Sequence, residues 1–127
     1  MKRIALAAVI TAATVTACTP TEIEAARQWI AAHPPAVDCN TAVARHWPAS
    51  MQRRARSIVW RESRNNPKAQ NRRSSAAGCF QLLAVHSPRF RKLGLSWSHD
   101  RYNADANARV ALDLYRTAGW SPWAATA

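Results

Sequence analysis

Acidic residues are scarce in this chain of 127: seven Asp and Glu stand against 18 Lys and Arg, leaving a formal charge of +11. Such an imbalance predicts attraction to polyanions, whether nucleic acid, acidic lipid headgroups or an anionic wall polymer. Glu is rarer still, and after Glu24 the only one is Glu62. Chemistry that needs a pair of glutamates in the folded domain is therefore excluded. No Cys-x-x-Cys or His-x-x-x-His spacing occurs and the four His are scattered, which argues against a zinc framework. No metal or cofactor is expected. Nor is there an apolar run of the roughly 20 residues that a spanning helix requires.

What stands at the start is shorter. Met1-Lys2-Arg3 is basic, Ile4 to Ala17 is apolar apart from three Thr, and Val15-Thr16-Ala17 leads into Cys18. That is the layout of an export signal over residues 1–17. Val-Thr-Ala-Cys also resembles a bacterial lipobox, in which Cys18 becomes the lipidated first residue and tethers the protein to a membrane. Plain cleavage after Ala17 is the alternative. Either way the chain is expected outside the cytoplasmic membrane, in the cell envelope, where the wall and anionic envelope polymers, not nucleic acid, are the expected partners for the basic charge. In that oxidising setting Cys39 and Cys79 form an even pair, and a bridge between them is expected to stabilise a small core.

Residues 18–37 read as a helix and spacer. Thr21 as cap with Glu24 three residues on, and Ile23, Ala26, Trp29 and Ile30 on one face, predict a helix to Ala32 that His33-Pro34-Pro35 stops. The compact domain is expected over residues 38–127. A short helix near Asn40 to His46 ends before Pro48, and a longer one spans Ser50 to Arg64. Within it Met51, Ala55, Ile58, Val59 and Glu62 fall at helical spacing, so Glu62 continues the apolar stripe. Desolvation there, and the negative end of the helix dipole, both favour the neutral acid. Asn65-Asn66-Pro67 then opens a turn, and QNRRSSAAGC over 70–79 suits an irregular loop or small hairpin. A last helix, about Asn103 to Thr117, has Asn103 as its cap and Asn107, Val110, Ala111, Leu114 and Tyr115 on one face. An inward Asn107 is expected to bond neighbouring backbone. Of six Trp, residues 47, 60, 120 and 123 are expected in the core, and Trp97, in a polar loop, on a cleft wall.

Taken together, Glu62-Ser63, Asn66-Pro67-x-Ala69, Ser75-x-Ala77-Gly78 and Phe80-Gln81, followed by Tyr102-Asn103-x-x-x-Asn107 and Gly119-Trp120-x-Pro122-Trp123, resemble the signature of lysozyme-like lytic transglycosylase domains. The resemblance covers about residues 50–123 and is similar to compact secreted and phage modules. It implies a mainly α, lysozyme-like α+β fold, an orthogonal helical bundle with a short irregular or β-hairpin loop after the Glu62 helix. It implies further that Glu62 is the catalytic acid and base and that the partner is a peptidoglycan glycan strand, and Ser75, Gln81, Trp97 and Tyr102 are the residues expected to meet the substrate. The expected products are 1,6-anhydro-N-acetylmuramic acid ends. Cys79 replaces a residue usually apolar in the family, which fits a variant bridged from Cys39. The family's later Ala-Tyr-Asn-Ala-Gly motif is missing, so its substrate-side tyrosine is not carried over and the place of Tyr102 in that role stays open. The alternatives are a hydrolytic muramidase with Asp100 or Asp105 as helper, and a catalytically silent basic lipoprotein that binds glycan or another polyanion. A small DNA-binding module fits the charge but neither the export signal nor the loop.

Overall fold

The computed structural model describes residues 19–32 and 35–126. The segment read as an export signal, Cys18 and the His33-Pro34 pair lie outside the described residues. The chain divides at Pro35/Ala36 into two compact units.

In the first unit, helix α1 spans Pro20–Ala32. Its capping box is set two residues earlier than the expected Thr21/Glu24 pair. The Thr19 N–H donates to the Glu22 carboxylate at 2.7 Å, and the Glu22 N–H donates to Thr19 Oγ1 at 3.3 Å. Pro20 decides between the two registers. It lacks an N–H and has a helical φ, so it suits the first helical position, which leaves Thr19 as the cap. Ile23, Trp29 and Ile30 are exposed.

The second unit, Ala36–Ala127, is mainly α, the architecture expected from the sequence. Helix α2 is Cys39–His46, capped by Asp38, whose side chain accepts from the Thr41 N–H at 2.7 Å. It stops because Trp47 precedes Pro48 and is held extended, at ψ 141°. Helix α3 is Ala49–Ser63 and ends on Arg64 in the left-handed region, φ 55°, with the Arg64 N–H bonded back to Trp60 O. Two short helices follow, α4 (Ser87–Lys92) and α5 (Trp97–Asp100), and then α6 (Ala104–Ala118) with Asn103 as its cap. The Asn103 side chain accepts from the Ala106 N–H at 2.9 Å. Helix α6 is buried at Ala104, from Ala106 to Ala108 and from Val110 to Leu114. That is nearly all round, far wider than a single amphipathic face, and marks it as the central helix, with α2 and α4 packed on it. Between α3 and α4 the described residues hold two isolated bridges, Gln70 with Ala77 and Ala77 with Leu82, and a 3-10 turn, Ala84–His86, that runs into α4.

An aromatic stack fills the core. Trp47 lies flat on Phe80, at 5.3 Å and 11°, and on Trp120, at 5.5 Å and 17°. Trp123 meets Phe80 edge-on at 5.7 Å. Both buried indoles find acceptors: Trp47 Nε1 donates to Ala108 O and Trp123 Nε1 to Phe80 O, each at 3.0 Å. Trp60 departs from its expected place, being 56% exposed. Its phase on α3 is opposite the apolar stripe, and phase overrides residue type. Trp97 begins α5 instead of sitting in a loop, and its half-buried ring stands edge-on to Phe90 at 5.4 Å.

Two covalent and ionic ties hold the packing. Cys39 and Cys79 are disulfide-bonded, with Cα atoms 5.5 Å apart, which joins the start of α2 to the loop after α3. The bridge spans a sequence separation of 40, so the chain-entropy relation gives a stabilisation of about 4 kcal/mol. On the far side Asp113 of α6 accepts from Arg89 and from Lys92 of α4, both at 2.7 Å. The Lys92 hydrogen bond, then Arg89, hold the Asp113 carboxyl below its ordinary range against the opposing effect of burial. The Thr41 N–H does the same for Asp38. Burial, with Arg89 nearby, pushes His86 down.

Two expectations follow. Reduction, or Cys39→Ala with Cys79→Ala, lowers unfolding stability by about 4 kcal/mol in urea titrations. These three groups of the second unit have folded-state values below their unfolded ones, so each contributes stability above its unfolded value and loses it as pH falls through its folded value. The urea midpoint should hold above neutrality and begin to decline below about 6.5, where the unfolded chain takes the His86 proton before the folded one does. It should fall further below about 3.9 as the same happens at Asp113 and Asp38. Asp113→Asn should cost about 1.5–3 kcal/mol at neutral pH and shallow the acidic limb.

Candidate active site

The buried stripe of α3 runs through Ala55, Ile58 and Val59 to Glu62, which is half-buried one residue before the end of the helix. Its Oε1 accepts from the Thr126 hydroxyl at 2.5 Å. Thr126 is held in turn by its own N–H on Trp123 O at 2.9 Å and by the Arg61 guanidinium on its carbonyl. The Thr126 hydroxyl also lies 3.2 Å from Trp123 O. It can therefore donate to an ionised Glu62, or accept from a protonated Glu62 while donating to Trp123 O. Either protonation state of the carboxyl finds a partner. The sequence carried no signal for this contact, which joins residues 64 positions apart.

Past Glu62 the backbone turns sharply, with Arg64 and Asn65 both at positive φ. Asn tolerates that region because its short side chain finds local partners. Asn65 Oδ1 accepts from the Asn40 N–H at 2.9 Å and its Nδ2 donates to Asp38 at 3.3 Å, which pins the turn to the cap of α2. Ser63 is buried and donates to Val59 O at 3.0 Å. Asn66 Oδ1 accepts from the Lys68 N–H at 2.9 Å, a side-chain turn that leads into Pro67 and Ala69. The Ala69 carbonyl accepts from the Gly78 N–H at 2.8 Å and from Gln81 Nε2 at 3.1 Å.

The loop is locked from below by Asn107 of α6, which is fully buried. Its Oδ1 accepts from the Phe80 N–H at 2.9 Å, and its Nδ2 donates to Ala77 O at 3.2 Å and to Arg101 O at 3.0 Å. All three bonds go to backbone, as expected for an inward amide at this position. Gly78 makes the approach possible. A Cβ there would lie 2.2 Å from Arg101 O and 2.3 Å from Asn107 Nδ2, and its φ of +77° disfavours any side chain.

The other expected site residues are dispersed in role. Ser75 is exposed, and its Oγ accepts from the Ala84 N–H at 3.0 Å. Gln81 spends Nε2 on Ala69 O and Gly78 O within its own loop. Trp97 and Tyr102 are half-buried, with the Arg101 guanidinium 5.8 Å and 4.7 Å from their ring centroids. Among the described residues no hydrogen bond joins any of these four to Glu62.

The remaining acids are engaged elsewhere. Asp100 accepts from the Ser96 N–H at 2.7 Å. Asp105 is bound by Arg45 at 3.1 Å and by His46 at 2.8 Å. Asp38 caps α2 and Asp113 pairs with Arg89 and Lys92. Among the described side chains of this unit, Glu62 is the one carboxylate whose partner is a hydroxyl instead of a cation or a backbone N–H. No group of His, Cys, Asp and Glu that could hold a metal ion occurs among the described residues.

Against known proteins, the family model described as "Transglycosylase SLT domain" matches residues 41–118, more than half of the chain. No curated protein and no solved structure matches it. The matched span takes in Glu62, the loop and α6 but leaves out Cys39 and Thr126. The disulfide and the hydroxyl on Glu62 thus each draw one partner from beyond the family segment.

Asn107→Leu, which keeps the volume but deserts three backbone groups, should destabilise by about 3 kcal/mol or more in thermal or urea unfolding. Gly78→Ala should destabilise the same loop. A proteolysis assay with both variants should then show the loop between α3 and α4 cut first.

Proposed function

Since the chain belongs to the transglycosylase SLT domain family, a family of peptidoglycan lytic transglycosylases, we propose that Glu62 cleaves the β-1,4 bond between N-acetylmuramic acid and N-acetylglucosamine with no second carboxylate. Protonated Glu62 gives its proton to the glycosidic oxygen as the bond to C1 of the muramic residue breaks, and N-acetylglucosamine departs with a free 4-hydroxyl. Positive charge builds at C1. Glu62, now a carboxylate, takes the proton of the muramic C6 hydroxyl, and O6 closes on C1 to give the 1,6-anhydro ring. No water is consumed and Glu62 ends protonated, ready for the next bond.

The observation that carries this reading is the disposition of the acids. A hydrolase with two carboxyl groups sets the second about 5–9.5 Å from the first, and the two candidates for that helper, Asp100 and Asp105, are tied to Ser96 and to Arg45 and His46. Thr126 supports the same scheme, because its hydroxyl serves Glu62 both as acid and as base. Ser75, Gln81, Trp97 and Tyr102 are proposed to line the glycan path. The Gln81 amide oxygen, the Ser75 hydroxyl hydrogen, the Tyr102 hydroxyl and the Trp97 indole N–H are polar groups there that remain for a sugar. The protein is proposed to act in the cell envelope after export, held to the membrane by lipid on Cys18.

Glu62→Gln should reduce peptidoglycan cleavage by about 100- to 10,000-fold with unfolding stability close to that of the parent. Mass spectrometry of the digest is expected to give 1,6-anhydro ends. Reducing ends would make the enzyme a hydrolase, and undiminished clearing by Glu62→Gln would remove Glu62 from the chemistry.

A further inference from the structure

The outward face of α3 carries a second feature that the cleavage scheme does not use. Arg53, Arg56, Trp60 and Arg64 follow one another at steps of three or four residues, and all four are exposed. At about 100° per residue Glu62 lies on the opposite side of the helix from Arg53. The stripe is therefore separate from the carboxyl that cuts. Among the described residues none of these guanidiniums, nor that of Arg54 or Arg61, lies within 4.0 Å of a carboxylate. Arg64 instead stacks on Trp60, 5.1 Å from the ring centroid, and Arg54 on Trp120 at 4.9 Å. Between Arg53, Arg54 and Ser57 the surface dips into an open depression of about 310 Å³.

We infer that this face is a docking surface for a neighbouring strand of the carboxylate-bearing wall polymer, distinct from the strand being cut. The inference rests on the proposed function for the identity of the polymer. Charge complementarity selects the ligand class, because a row of arginines with no acid in contact, Arg56 acting on Asp38 only at longer range, lowers its repulsion when it meets regularly spaced anions. The exposed indole narrows the class further. Trp60, set inside the row, offers a flat apolar face to a sugar ring, while the guanidiniums take carboxylates of the attached peptides bidentately. A lipid surface suits the face less well, since one Trp among arginines supplies little apolar area for insertion. Two sites on opposite sides of one helix would hold the enzyme on the wall while each strand is released.

The test separates binding from cleavage. Co-sedimentation is measured at about 0.15 M ionic strength in a Glu62→Gln background, on purified peptidoglycan freed of phosphate-bearing polymer. The same material with its carboxylates neutralised by carbodiimide coupling to an amine is the comparison. Arg53→Gln with Arg56→Gln should weaken binding about tenfold on the untreated wall and make little difference on the neutralised one. Trp60→Ala should weaken both. With Glu62 restored, the arginine pair variant should cut a short soluble glycan at the parental rate. Equal binding by parent and arginine variant would overturn the proposal. So would equal binding to treated and untreated walls, or tighter binding to a DNA fragment, to anionic vesicles or to wall that keeps its phosphate polymer. Failure of the Glu62 assignment would instead appear only in the cleavage products.

Discussion

The Asn107 carboxamide is the constraint on which the geometry after α3 depends. The segment from Arg64 to Leu82 forms no sheet, and most of its polar backbone has no regular ladder to join. Such a segment keeps one shape only if its N–H and C=O groups are met individually. Asn107 meets three groups from the first turn of the central helix, at Ala77, Phe80 and Arg101. Because α6 is buried nearly all round, its side chain is a fixed reference. The loop thus takes its position from the core, and the disulfide adds a second anchor one residue beyond Gly78.

That arrangement changes the meaning of the motif letters. Ser63, Asn66, Ala69, Ala77, Gly78 and Gln81 each have a structural partner within the segment or just below it. Their joint effect is to hold the loop after α3 in one shape. Gly78 is the clearest instance. Its lack of a side chain answers a contact of 2.2 Å to backbone and a positive φ at once, two demands no other residue satisfies.

Helical phase made the compact unit legible from sequence. Met51, Ala55, Ile58, Val59 and Glu62 were readable as one stripe, and the buried positions of α3 follow it. The same phase sets Trp60 outside, so the expectation that it would be core rested on residue type against the stronger signal. At α1 two Thr-x-x-Glu boxes compete, and the rule for proline at the first helical turn chooses between them. The inward amide of Asn107 was also foreseeable, because a buried carboxamide must find partners. Thr126 was not foreseeable. Its link to Glu62 is a tertiary contact with no local pattern, set by how the turn after Trp123 brings the chain back to the end of α3. The short helices α4 and α5 were missed because four to six residues are too few to express a period.

Helix α3 sets one carboxyl apart from cations in a strongly basic protein, as the proposed use of Glu62 as an acid requires. A guanidinium in contact with Glu62 would favour the anion and oppose its use as an acid. The helix avoids this by phase: its arginines lie on the outward arc, while Glu62 alone continues the inward stripe. Arg61, its immediate neighbour, is directed to the Thr126 carbonyl, so the nearest cation supports the hydroxyl partner in place of pairing with the acid. The four aspartates of the unit absorb cations and caps elsewhere. A neutral partner for Glu62 is thus a consequence of where every other charge has been put. The arginines that remain without acids are turned to solvent, where an anionic polymer can reach them.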